Sequence, residues 1–144
     1  MNKQELFDAF DGKISKTAIQ LLNDEYQIVG KFCRITFLDY GNGVYAWDVW
    51  ICNHKDIAKG LGQSKVHNIV SSLTGIPRNQ ISLDNPLVNG PHTVLNGEAV
   101  VWVGSTEIIL KNLSLLGIRK KTQYSKEQLE RMRERARAFN KVQI

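Results

Sequence analysis

The segment from 26 to 53 constrains this chain more than any other. Two runs rich in β-branched and aromatic residues flank Gly41-Asn42-Gly43. Such residues suit a pleated, half-buried surface. Asn42-Gly43 supplies the two positive-φ positions that a type I′ hairpin turn needs. Centred there, the turn pairs residues whose numbers sum to 85. Tyr40 then faces Tyr45, Leu38 faces Trp47, Thr36 faces Val49, Arg34 faces Ile51 and Cys33 faces Cys52. Side chains alternate across a strand. One face is therefore expected to carry Phe32, Arg34, Leu38, Tyr40, Tyr45, Trp47 and Val49. The other face, with Cys33, Ile35, Phe37, Trp50 and Cys52, reads as core.

The remaining pattern is mixed. Leu6, Phe7 and Phe10 share one side of a helix expected over 2–10. Ser15 can N-cap a second helix through Leu22, with Ala18, Ile19 and Leu22 inward. A short helix is expected at Asp56–Leu61. Another should run from a Ser64 cap to Thr74, with Val66, Ile69, Val70 and Leu73 inward and Gly75 closing it. After a loop holding Pro86, Gly90 and Pro91, His92–Leu95 and Glu98–Val103 flank Asn96-Gly97, a second hairpin signal. Ser105 or Thr106 opens a helix that buries Ile109, Leu110, Leu113 and Leu116 and ends at Gly117. The expected fold is α+β: two antiparallel hairpins, about 26–53 and 92–103, packed with short helices and followed by a C-terminal basic amphipathic helix. Its 144 residues are the size of one domain, read here as a body over 1–118 and a helical tail over 119–144.

Charge divides the chain at the same place. Residues 117–144 hold nine Lys and Arg against three Glu, a net +6, whereas residues 1–116 come to −1. Ser125-Lys126-Glu127-Gln128 is a capping-box pattern. Beyond it, Leu129, Met132, Ala136 and Phe139 form one stripe. Arg131 and Arg135 border the stripe on one side, Arg133 and Arg137 on the other, and the glutamates lie behind. Such a helix can dock on the body with its arginines at the rim. The arginines, with Arg119, Lys120 and Lys121, also suit phosphates, which guanidinium groups bind in a bidentate fork.

A local likeness points the same way. Asp56-Ile57-Ala58-Lys59-Gly60-Leu61-Gly62-Gln63-Ser64 resembles the helix-turn-helix of bacterial and phage DNA-binding proteins, whose common wording is close to D-I-A-K-x-L-G-x-S. The resemblance implies that Ala58 packs between two helices, Gly62 makes the turn and Ser64 starts a recognition helix. Ser64, Lys65, His67, Asn68 and Ser71 would then face a major groove, with Asn96-Gly97 where a winged helix keeps its wing.

Other chemistry is sparse. Cys52, His54 and His67 lack the paired spacing of a zinc site. Gly60–Lys65 is not a phosphate-cradling loop, and no G-x-S-x-G or H-E-x-x-H occurs. No catalytic residue, metal or cofactor is expected. The N-terminus lacks a signal-peptide run, no stretch approaches a membrane span, and the two cysteines fit a reducing cytoplasm. The expected role is a small non-enzymatic nucleic-acid-binding protein of the phage or mobile-element regulator type, with no membrane partner. The sequence leaves a homo-oligomer open without indicating one. The alternative is a protein-interaction module or inhibitor, such as a phage counter-defence protein, that binds a larger nucleoprotein enzyme. It would use an aromatic hairpin patch of Arg34, Tyr40, Tyr45 and Trp47, because aromatics beside arginine serve either base stacking or protein hot spots.

Overall fold

The computed structural model describes residues 1–56, 58–81, 92–95, 98–122 and 124–142, of which 92–95, 98 and 140–142 by backbone alone. The loop with Pro86, Gly90 and Pro91, and the Asn96-Gly97 tip, lie outside the described residues. The fold is α+β. Helix α1 (Lys3–Ala9) opens the chain. Strands β1 (Ile19–Leu22), β2 (Glu25–Gly30), β3 (Cys33–Gly41) and β4 (Val44–Ile51) follow. Next come α2 (Gln63–Thr74), β5 (His92–Leu95), β6 (Glu98–Val103), α3 (Thr106–Lys111), α4 (Leu113–Leu116) and α5 (Lys126–Val142). Both hairpins join one six-stranded antiparallel sheet in the order β1-β2-β3-β4-β6-β5.

The segment expected as a second helix is a strand. Ser15 does cap, but only a 3-10 turn over Lys16–Ala18. Asn23 and Asp24, both at positive φ (51° and 62°), then make a tight turn that pairs Leu22 with Glu25. Asn and Asp tolerate that conformation, and β2 offers β1 a ladder that outweighs its weak helical periodicity. The Asn23-Asp24 pair was the signal for this hairpin.

The β3–β4 turn forms as expected: Asn42 and Gly43 have φ of 55° and 76°, and Gly41 pairs with Val44. The register away from the turn is corrected by one residue. A bulge between Asp39 and Gly41 takes up Tyr40, and below it Asp39 pairs Tyr45, Phe37 pairs Trp47, Ile35 pairs Val49 and Cys33 pairs Ile51. Gly41 accepts the left-handed φ of 82° that such a bulge requires, and its N–H donates to Asp39 Oδ1 at 2.8 Å. A one-residue slip moves a strand's whole set of partners to the other face. The core face of β4 is therefore Trp47, Val49 and Ile51, with Trp50 on the other face, while Cys52, just past the strand, is buried as expected.

That inner face meets the helices in a single core. Leu6 comes from α1 and Phe10 from its C-cap, Val66, Ile69, Val70 and Leu73 from α2, and Ile109, Leu113 and Leu116 from α3 and α4. Ala99, Val101 and Val103 supply the β6 side. Asn112 splits the helix expected after Ser105: its side chain donates to the Ile108 carbonyl and meets Ser72 of α2, which ties the break to the sheet-covering helix. Gly117 then ends α4 at φ 68°, and a Cβ there would stand 2.7 Å from Lys31 Cβ and 3.1 Å from Lys31 N. Gly117→Ala is expected to lower stability by about 1–3 kcal/mol, from left-handed strain and that clash together. An unchanged urea midpoint would contradict this.

Candidate nucleic-acid interface

Helix α5 is the feature through which the chain reaches outward. Its capping box closes reciprocally, with Gln128 N donating to Ser125 Oγ at 3.1 Å and Ser125 N donating to Gln128 Oε1 at 2.9 Å. Ala, Arg, Glu, Gln, Met and Leu, all good helix formers, carry it onward. Every described side chain on it is exposed, including Leu129, Met132 and Phe139 of the apolar stripe. The stripe does not dock on the body. Arg133, Arg135 and Arg137 have no ion pair among the described residues, and Arg131 meets Glu127 at 3.9 Å. An exposed pair at that distance is worth little.

The basic segment before α5 stays on the body. Ser15 N donates to the Arg119 carbonyl at 2.8 Å, Ile14 bridges Lys120, and Lys121 N donates to the Lys13 carbonyl at 2.9 Å. The side chains of Arg119, Lys120 and Lys121 remain exposed, Lys121 lying 5.3 Å from the Phe7 ring. Arg119 also lines an open cleft of about 650 Å³ with Thr17, Gln20, Lys31, His54 and Lys55. Among the described residues no acidic one lines this cleft. Lys31, Lys55 and His54 carry no motif, and the fold alone brings them to Arg119.

His54 connects the cleft to the sheet. Arg34 Nε–H donates to His54 Nδ1 at 3.2 Å, which makes Nδ1 an acceptor and the imidazole neutral. Burial, and then the charge of Arg34, hold the His54 pKa below its ordinary 6.5. As pH falls the unfolded chain takes this proton first. The group's contribution to stability is therefore present above 6.5 and lost as pH falls through the folded value. An NMR titration should find the midpoint below 6.5, moving upward in Arg34→Gln. A midpoint at or above 6.5 in the unsubstituted protein would contradict the geometry.

The described residues of this segment do not form the helix-turn-helix geometry. The described residues between Asp56 and Leu61 make a turn, not a helix, and Ile57 lies outside them. Gly62 rather than Ser64 caps α2. Lys65 places its ammonium 3.3 Å from the Phe32 ring centroid, and His67 Nε2 is enclosed without a partner among the described residues. Of the five α2 residues expected at a groove, Ser64 and Asn68 are exposed, and Lys65, His67 and Ser71 are half-buried.

The aromatic patch is also rebuilt. The bulge puts Tyr45 and Trp47 on the core face, where Trp47 is fully buried against Phe10 and Phe37, with ring centroids at 4.7 and 5.4 Å. Arg34 and Tyr40 stay on the outer face. There they join Trp50 and Trp102, which the expected register had hidden or left unassigned. Cys33 sits opposite Ile51, not Cys52, and burial pushes its thiol up to about 12, far from a reactive thiolate. Among the described residues no cluster of His, Cys, Asp and Glu could hold a metal, and no helix is long and apolar enough to cross a membrane.

Comparison with protein-family models, with curated proteins and with solved structures found no match to this chain.

Proposed function

We propose that this chain is a small non-enzymatic nucleic-acid-binding protein that neutralises phosphates with α5 and the Arg119–Lys121 segment. The observation that carries the reading is the free-standing helix: four exposed arginines in two rows, with a single long ion pair among them in the described residues. A cation that holds nothing in its own fold keeps its full charge for a polyanion. The cleft with Lys31, Lys55 and Arg119 extends the same cationic surface onto the body. Each phosphate neutralised on a duplex releases counterions, so log affinity should fall linearly with log salt, with a slope of roughly −0.9 per contact. Titration of a fluorescent oligonucleotide across a salt series tests this. No affinity at low salt would end the proposal.

One observation favours a second reading. Leu129, Met132, Ala136 and Phe139 are exposed between the arginine rows. A protein partner with an apolar groove and acidic rims would cover both features, as expected of an inhibitor acting on a larger nucleoprotein enzyme. A pull-down with and without nuclease separates the two, because only a protein contact survives digestion.

A further inference from the structure

We infer that the outer face of the sheet is a stacking platform for unpaired bases, so that the nucleic acid taken by this protein is single-stranded. This rests on the reading that the ligand is a nucleic acid, and adds which form and which surface. The strand register assigns the residues. Arg34, Trp50 and Val100 form one cross-strand row, and Thr36, Asp48 and Trp102 form the next. Trp50 and Trp102 are thus diagonal neighbours on adjacent strands, within reach of one another. Trp102 is 44% exposed and Tyr40 59%. Among the described residues, neither these two rows nor Tyr40 belong to the helix-covered core.

Trp102 is held in place. Its Nε1–H donates to the Tyr40 hydroxyl at 2.8 Å. Its ring lies along the strand over Gly104, with ring atoms 2.9 and 3.2 Å from where a Cβ would stand. With its polar atom engaged, Trp102 offers a solvent-facing ring. The Arg34 guanidinium lies 5.4 Å from the Trp50 ring centroid. Through His54, Arg34 also borders the cleft with Lys31, Lys55 and Arg119. Aromatic rings therefore lie beside a cationic cleft on one face. Strand phosphates suit the cleft and bases suit the rings, the arrangement by which unpaired nucleic acid is held without sequence readout. A duplex keeps its bases stacked and cannot present their faces. Asp48 on the same face would repel phosphates near Trp102, which places the backbone on the cleft side. An aromatic patch with one arginine also suits a protein hot spot, but Lys31, Lys55 and Arg119 in the cleft beside it favour a polyanion.

The test uses the full chain, a labelled oligothymidine of about 12 nucleotides, within the usual site sizes, and a duplex of equal length. The unsubstituted protein should prefer the single strand, which should quench tryptophan fluorescence. Trp102→Ala should weaken single-strand binding roughly tenfold, leaving duplex affinity and the salt slope unchanged. Trp102→Phe should keep most of the affinity and reduce the quenching, to which Trp50 still contributes. Tyr40→Ala, which leaves every tryptophan in place, is the second probe if Trp102→Ala does not fold by circular dichroism. Unchanged single-strand affinity in folded variants overturns the platform. A persisting salt slope would then leave the proposal for α5 standing. Absence of any nucleic-acid affinity overturns both, and a nuclease-resistant partner lost in Trp102→Ala replaces the platform with a protein interface.

Discussion

Replacing Arg131, Arg133, Arg135 and Arg137 together with glutamine should flatten the salt dependence of nucleic-acid binding by about 3–4 units of log–log slope, from roughly 0.9 per lost duplex phosphate contact. Low-salt affinity should fall by orders of magnitude. The reason is local. These side chains are exposed, and only Arg131 has an ion pair among the described residues, at 3.9 Å. Glutamine has nearly the helix propensity of arginine, and the Ser125–Gln128 capping box is untouched. Circular dichroism should therefore show little loss of helix. The control reverses the sign: Glu127, Glu130 and Glu134 changed to glutamine should strengthen binding, since three opposing charges leave the same helix. A free-standing helix of 17 residues is near the length at which isolated helices are marginal. Ligand binding should accordingly raise helicity, and Arg-to-Gln variants should lose that rise. A slope unchanged in the four-arginine variant would move the phosphate contacts off α5.

Trp47→Ala should cost about 3–5 kcal/mol of stability, read as a lower urea midpoint. For a domain whose total stability is on the order of 5–15 kcal/mol, that is a large share. Trp47 is fully buried and touches Phe10, Phe37 and Tyr45 with its ring. Its Nε1–H is buried without a partner among the described residues. Trp47→Phe should thus cost much less than alanine. It keeps an aromatic ring in the cluster and removes an unpaired donor, which partly offsets the lost volume. If Trp47 were instead an interface residue, alanine would spare stability and abolish binding.

The chain's local order was legible in the sequence wherever one strong local rule governed it. Asn42-Gly43 made its type I′ turn, the stripe of α2 went inward, Gly75 and Gly117 ended their helices, and Ser125 closed its capping box. These depend on backbone conformation and neighbours a few residues away. Register did not follow, because one bulged residue, Tyr40, is a local event with a strand-long consequence. The turn is encoded locally and the bulge is not, so Trp50 rather than Trp47 is the outward aromatic. Ile19–Leu22 departs from the expected helix for a related reason: a short apolar run carries no decisive period, and its neighbour β2 decides it.

The tail shows the same division. Its charge, cap and amphipathic order are properties of residues 117–144 alone, and the sequence determined them. Whether the stripe met the body depended on packing between segments, and only the tertiary structure left it exposed. The cleft is the extreme case. Lys31, Lys55 and Arg119 are far apart in the chain, and their meeting is decided by β2, the loop after β4 and the turn at Gly117. Distant residues share a surface only after the core has closed, because hydrophobic burial fixes the framework and the charged side chains take whatever surface it leaves them.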